Sequence, residues 1–370
     1  MGLEVGMPTV VFHPLNEDHI MIIGVDPHKG SHTATVVDPV TNTAASSLRV
    51  DASLAGYREL LRWARRFPDR RWAVENAKGL GCHLAQWLVV RGEEVVDVAT
   101  TATSRVRELS RGGRRKNDVI DASAAASVAA LQGDSRVVDA DNETTVFALL
   151  EERRANLATQ RVRCVNQLHA AFRDLVPGGA RTALKATAAG EALRRVRPTT
   201  RVERIRKALA WDLVRDVRNL DRQLASIAAQ MTESLDAYDN QLLEVDGIGP
   251  VLAVRLIGRT GRPSRFRNSA AFASYAGVAP IEVSSGSRIR HRLSRSGDRR
   301  LNSTLHLIAV TQVRMRDSAG HRYFERKIKQ GKTRNEAIRC LKRKIASHVW
   351  RRMLQTERSR KRHVGLPEAA

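Results

Sequence analysis

Residues 20–37 read Ile-Met-Ile-Ile-Gly-Val-Asp-Pro-His-Lys-Gly-Ser-His-Thr-Ala-Thr-Val-Val. The first six are apolar or small and run into Asp26, which predicts a short buried strand ending in a carboxylate. A Pro-His-Lys-Gly turn follows. His32 to Val37 predicts a second strand, closed by Asp38-Pro39, and Ser46 to Val50 a third. Ser53 is placed to cap a helix reaching about Phe67, with Leu54, Tyr57, Leu60, Leu61 and Ala64 on one face. Pro68 stops it. Trp72 to Glu75 predicts a fourth strand, Leu80 to Val90 a second helix, and Glu94 to Ala99 a fifth strand. A basic loop then leads to an Ala-rich helix from about Asp118 to Leu131. The order is β-β-β-α-β-α-β-α. A meander of three strands followed by alternating units predicts a mixed α/β sheet flanked by helices, in the ribonuclease H-like order.

Downstream the period changes. Val146, Leu149, Leu150, Leu157, Val165, Leu168 and Phe172 recur at threes, fours and sevens until Pro177-Gly178-Gly179. A weakly patterned basic stretch runs to Thr200. A second helical run covers about Val202 to Tyr238, where Leu213, Val217, Leu220, Leu224, Ile227 and Met231 fit a heptad-like seam. Two long helices around a turn fit a coiled-coil arm, or equally a helical hairpin packed on a neighbouring domain. Val245-Asp246-Gly247-Ile248-Gly249-Pro250, before an apolar helix from Val251 to Ile257, resembles a helix-hairpin-helix whose backbone N–H groups can meet phosphate. The expected organisation is a loose leader at 1–19, a ribonuclease H-like domain at 20–140, a helical arm at 141–240, a mainly α C-terminal domain at 241–350 and a basic tail at 351–370.

Composition narrows the function. The 370 residues are 42% hydrophobic, yet no apolar run approaches the roughly 18 residues of a membrane span. No basic patch precedes an apolar stretch at the N-terminus. Cys82, Cys164 and Cys340 are scattered and odd in number, which argues against a disulfide framework, a zinc ribbon and a CxxC redox site. These features predict a cytoplasmic protein. The net charge is +24, and residues from Ile281 to Ala370 carry 24 basic against 7 acidic side chains. Such an excess points to a polyanionic partner.

Two constellations carry chemistry. Asp26 and Glu75 end strands that lie side by side in this fold order. Asp118 and Asp121, three apart, share one helical face. Four carboxylates at one sheet edge repel unless a cation neutralises them. Oxygen ligands suit a hard divalent ion, Mg²⁺ or Mn²⁺, of the kind that serves phosphoryl transfer. Arg114, Arg115 and Lys116 would draw a polyanion beside it. The second constellation begins at Tyr275-Ala276-Gly277-Val278-Ala279-Pro280. It continues through Ser284-Ser285-Gly286-Ser287 and the basic residues Arg288, Arg290, Arg292, Arg295, Arg299 and Arg300. From chemistry alone this segment reads first as a phosphate-clamping loop, and second as an activated hydroxyl among arginines.

Gly24-Val25-Asp26, Val74-Glu75-Asn76, Lys116 to Ala122, Gly247 to Pro250, Tyr275 to Pro280 and Ser285-Gly286 through Arg300 together resemble the DEDD transposases of bacterial insertion sequences, over about residues 20 to 350. The resemblance implies a RuvC-like domain and a C-terminal serine-bearing transposase domain. It implies that Asp26, Glu75, Asp118 and Asp121 bind metal and that Ser285 is the nucleophile, with Ser284 the adjacent alternative. It further implies double-stranded DNA of element ends and target as substrate, a guide RNA from the element, a homo-oligomer (dimer or tetramer), a serine–5′-phosphate intermediate and a bacterial, nucleoid-associated location. Arg295 and Asp298 stand where many relatives carry lysine and asparagine or serine. Two other readings fit parts of the chain. A Holliday-junction resolvase-like nuclease would use the acids but not the serine segment. A non-catalytic nucleic-acid-binding protein would use the charge but not the acids.

Overall fold

The computed structural model describes residues 20–109, 117–132, 136–181, 183–238, 240–282, 291–293 and 297–363. The chain divides into two compact units, the first ending at Asp141 and the second beginning at Asn142.

The first unit is built on one sheet. Its elements are β1 (Met21–Pro27), β2 (Ser31–Asp38), β3 (Thr43–Asp51), α1 (Leu54–Ala64), β4 (Arg70–Glu75), α2 (Cys82–Val89), β5 (Val95–Val98), α3 (Thr100–Leu109), α4 (Asp118–Leu131) and β6 (Arg136–Val137). The strand order is β3-β2-β1-β4-β5-β6. β1 and β2 are antiparallel, β1 and β4 parallel, and Val25 pairs with Val74. This is the ribonuclease H-like order expected from the meander. A side chain satisfies a free N–H group at the start of α1, where Ser53 accepts from Gly56 N at 3.1 Å.

Alternation along the strands sorts two apolar layers. Ile23, Val25, Trp72 and Val74 pack with Tyr57 and Leu60 of α1 and Leu84 and Leu88 of α2. Ile22, Ala73, Val96 and Val98 pack with Ala125, Ala126, Val128 and Ala129 of α4. By the same parity Gly24, Asp26 and Glu75 face the α4 side. The alanines let α4 lie close: a Cβ on Gly24 would stand 1.9 Å from Ala122 O.

Two expectations are corrected here. The basic loop before Asp118 is helical over Thr100–Leu109, because Thr103 is buried against Glu75 and Val106 packs with the α4 layer. The weakly patterned stretch before Thr200 contains a helix at Ala186–Arg195, held by burial of Ala189 and Leu193.

The second unit is mainly helical: α5 (Glu143–Leu175), α6 (Ala186–Arg195), α7 (Arg201–Asp236), α8 (Pro250–Thr260), α9 (Ser269–Tyr275), the hairpin strands β7 (Pro280–Glu282) and β8 (His291–Leu293), then α10 (Arg299–Arg314), α11 (Ala319–Lys329) and α12 (Arg334–His363). α5 and α7 pair, with Arg161 bonded to Asp221 and Arg153 NH2 3.0 Å from Gln223 Oε1. One end of the pair packs on α6 through Leu168, Phe172, Leu193 and Val214. The other enters the main core through Phe147, Met231 and Leu235. The fully buried positions of α7 include Val214 rather than Leu213, with Val217, Leu220 and Met231 as expected. Gly247 sits in the left-handed region (φ +79°), and Gly249 caps α8. α12 passes position 350 without a break.

Candidate active site

The four acids come from three elements and share one face of the sheet. Asp26 and Glu75 end the neighbouring parallel strands β1 and β4. The chain leaves Glu75 through Asn76 in the left-handed region (φ +48°), a conformation asparagine tolerates, so the strand ends abruptly at the carboxylate. Asn117, not Asp118, caps α4, accepting from Ile120 N at 2.8 Å. Asp118 and Asp121 are therefore spared the capping role and lie in the first turn, where the helix dipole favours negative charge.

Two arginines, a histidine and a hydroxyl meet these acids. His28 Nε2 lies 3.1 Å from Asp26 Oδ2 and 3.4 Å from Asp118 Oδ1. Arg49 NH1 lies 3.5 Å from Asp118 Oδ2. Arg107 bonds Asp121, and Thr103 Oγ1 lies 2.8 Å from Glu75 Oε1. Burial pushes the Asp26 carboxyl up to about 6. His28 pulls it down, and Glu75, Asp121 and Asp118 push it up again. Asp26 thus feels the other three carboxylates through space. One donor atom each from Asp26, His28 and Asp118 lies within 4.8 Å of the others. An oxygen-rich set with one imidazole at this spacing fits a hard divalent cation.

Sequence pattern alone does not mark His28, Arg49, Thr103 or Arg107 as site residues. His28 stands two positions after Asp26 in the turn, which was the available signal. Nothing local marks Thr103 or Arg107, whose helix has an ordinary composition.

Two families match this chain. Residues 23–177 match a DEDD family of the IS110 type, described as transposase, and residues 239–325 match the transposase IS116/IS110/IS902 family. The chain thus carries two transposase domains of the IS110/IS116 type, the first of the DEDD kind. It is similar to the insertion element IS116 44.8 kDa protein of Streptomyces clavuligerus, at 28% identity over 89% of this chain and 93% of the relative. The insertion element IS900 42 kDa protein of Mycobacterium paratuberculosis is 24% identical over 88% and 94%. The pilin gene-inverting protein of Moraxella bovis is 30% identical over 35% and 40%. A Thermus thermophilus RuvC structure in complex with a Holliday junction substrate overlays 32% of this chain and 100% of its own, at 16% identity and a TM-score of 0.26.

This transposase is a DNA-cleaving, recombining enzyme of a family whose fold implies a divalent metal. No described helix is long and apolar enough to cross a membrane. Of the expected basic and serine residues, Arg114, Arg115, Lys116, Ser284, Ser285, Arg288, Arg290 and Arg295 lie outside the described residues, as does the side chain of Arg292. The flanking motifs are described, and they meet. Asp298 N donates to Tyr275 O at 2.7 Å, and Asn302 Nδ2 to Gly277 O at 2.7 Å. Gly297 (φ +91°) has no room for a Cβ, which would stand 2.7 Å from Gly277 N. Asp298 also caps α10 and bonds Arg259. Arg299 is exposed. Arg300 NH1 instead lies 2.9 Å from the buried Glu151, which Arg255 also holds at 2.8 Å.

Proposed function

We propose that this transposase moves an insertion sequence by Mg²⁺- or Mn²⁺-assisted phosphoryl transfer, with Asp26, Glu75, Asp118 and Asp121 as the metal-holding set and Ser285 as the nucleophile. The observation that supports the reading is the meeting of Asp26 and Asp118 with His28 within 4.8 Å, with Glu75 and Asp121 near enough to act on Asp26. A bound divalent ion would supply charge neutralisation at the phosphate and lower the cost of ionising an attacking hydroxyl. The protein's part is positional. Glu75 is oriented by Thr103, and Asp118 and Asp121 by the first turn of α4. Arg49 and Arg107 offset the acids' repulsion.

Ser285 Oγ attacks phosphorus, its proton passing to a base at the site. The P–O3′ bond breaks, and the 3′ oxygen leaves as a hydroxyl once protonated. The product is a serine–5′-phosphate ester, reversible by attack of another strand's 3′ hydroxyl. Arg288, Arg290, Arg292, Arg295 and Arg299 would hold neighbouring phosphates, with Arg114, Arg115 and Lys116 doing so beside the acids. Arg300, bound to Glu151, would act through the placement of α10. Residues 20–140 would carry the acids, 141–240 the arm of a dimer or tetramer, 241–350 the serine segment and 351–370 a basic tail. A guide RNA from the element would direct the enzyme to donor and target DNA in the bacterial cytoplasm, at the nucleoid.

The test is incubation with element-end DNA, the transcribed flanking RNA and Mg²⁺, followed by denaturing electrophoresis. A protein–DNA adduct lost in both Ser285→Ala and Asp121→Ala is expected. Retention in Ser285→Ala with loss in Ser284→Ala would move the nucleophile by one place. Metal-dependent cleavage without any adduct would replace this reading with a resolvase-like nuclease.

A further inference from the structure

His28 has a second neighbourhood. Besides touching Asp26 and Asp118, it lines an open cleft of about 780 Å³ in the first unit. That volume lies in the range of small-ligand sites. The cleft runs between the β1–β2 turn, the start of α1 and the start of α2. None of its lining residues other than His28 touches an acid of the candidate active site.

The lining is mixed in a specific way. Leu54 and Leu80 are large aliphatic side chains about half exposed, at 49% and 52%. Tyr57 lies between them and the sheet, its ring 5.5 Å from that of His32 and 5.6 Å from that of His83. Lys29 and His83 are exposed at the cleft, and Asp141 is its one carboxylate. His32 is buried. Burial first, then His28 and His83, lower its pKa. Its Nε2 shares a 3.3 Å hydrogen bond with the Tyr57 hydroxyl, while Nδ1 is buried with no partner among the described residues. An unpaired buried nitrogen is costly, and native structures hold few of them.

Apolar faces, an aromatic ring, imidazoles and one ammonium group suit a nucleobase with its adjoining phosphate. A bare phosphate would leave Leu54, Leu80 and Tyr57 unused. We propose that the cleft seats one unstacked base of the DNA strand whose phosphodiester lies at the acidic centre. The base packs on Leu54 and Leu80 above the buried Tyr57, its polar edge lies toward His32 and His83, and Lys29 pairs with its phosphate. His28 stands at the junction of the two sites. The cost of unstacking a base is offset by its contact with apolar side chains. The cleft would thereby select which phosphodiester enters the centre. The inference rests on the phosphoryl-transfer reading of the acids.

The test uses the full-length chain and element-end DNA carrying 5-iododeoxyuridine at successive positions across the cleaved bond. After irradiation, cross-linked peptides are mapped by mass spectrometry. Cross-links to Tyr57 or His83 are expected from one position next to the cleaved phosphodiester. They should fall about tenfold in Leu80→Glu, an exposed site where folding is not at risk. Cross-links that avoid these residues, or that arise equally from every position, overturn the proposal. Cleavage is scored in parallel with Asp121→Ala. Cleavage that depends on Asp121 while cross-links avoid the cleft defeats the cleft alone. Cleavage indifferent to Asp121 defeats the acidic-centre reading and the cleft proposal with it.

Discussion

Thr103 Oγ1 and Glu75 Oε1 lie 2.8 Å apart, though 28 positions separate them in the chain, and both side chains are buried. The hydroxyl also lies 2.8 Å from Thr100 O. It has one proton to give, and the ionised carboxylate is the stronger acceptor. Thr103→Val keeps the shape and removes the donor. The expected result is about tenfold lower DNA cleavage, corresponding to about 1.4 kcal/mol, with unchanged circular dichroism. Thr103→Ser should restore most of the activity. Full activity in Thr103→Val would show that Glu75 needs no such orientation.

Arg107 neutralises Asp121 when no metal is bound. Arg107→Ala leaves the four acids with one cation fewer. Metal-free protein should lose about 2 kcal/mol of stability, and the rise in Tm on adding Mg²⁺ should exceed that of the parent. Thermal unfolding in EDTA and in Mg²⁺ reads both. Equal Mg²⁺ gains in the two proteins would contradict this role.

Gly24 is where α4 meets β1. A methyl group there would stand 1.9 Å from Ala122 O and 2.7 Å from Ala126 N, both backbone atoms that cannot rotate away. Gly24→Ala must push α4 off the sheet and carry Asp118 and Asp121 away from Asp26. A loss of about 3 kcal/mol is expected by denaturant unfolding, together with weaker Mn²⁺ binding by titration calorimetry. Gly30, whose added Cβ meets nothing within 4 Å, is the control position.

Asp26 gives a pH dependence with a definite sign. The unfolded chain releases its proton near the ordinary 3.8, and the folded, metal-free chain near 6. Between those values the folded state holds more proton, so this group's contribution to stability falls as pH rises through that window and is fully lost above it. The two values differ by enough to bound the effect at about 3 kcal/mol. A divalent cation competes with that proton. The Mg²⁺-dependent gain in Tm should therefore be small at pH 5 and level off above about pH 6.5. Asp26→Asn should flatten both trends. An identical Mg²⁺ gain at pH 5 and pH 7.5 would refute the assignment of Asp26.

Much of the sheet could be read locally. Met21–Pro27 is apolar and ends on Asp26, and Asp118 and Asp121 are spaced for one helix face, so strand ends and helix phase follow from short-range pattern. Thr103, Arg107 and His28 were different. Their signal is a partner many positions away: Glu75 for Thr103, and Asp118 for His28. The α3 segment lacks a strong apolar stripe, and its helix is held by what it packs against. Arg300 shows the reverse case. It sits in a run of arginines that reads as phosphate-binding, yet the fold brings buried Glu151 to it from α5.

The sequence by itself determined the strand order, the placing of carboxylates at strand ends and a helix start, and the basic excess. Each depends on residues near one another in the chain, where periodicity and turn chemistry operate. Only the tertiary structure decided which cations balance those carboxylates, that α4 closes on Gly24 to bring the acids together, and that His28 joins the acidic centre to a cleft containing His32 and Tyr57. Those outcomes depend on close packing between distant segments, where an ångström of helix approach sets the distance between charges.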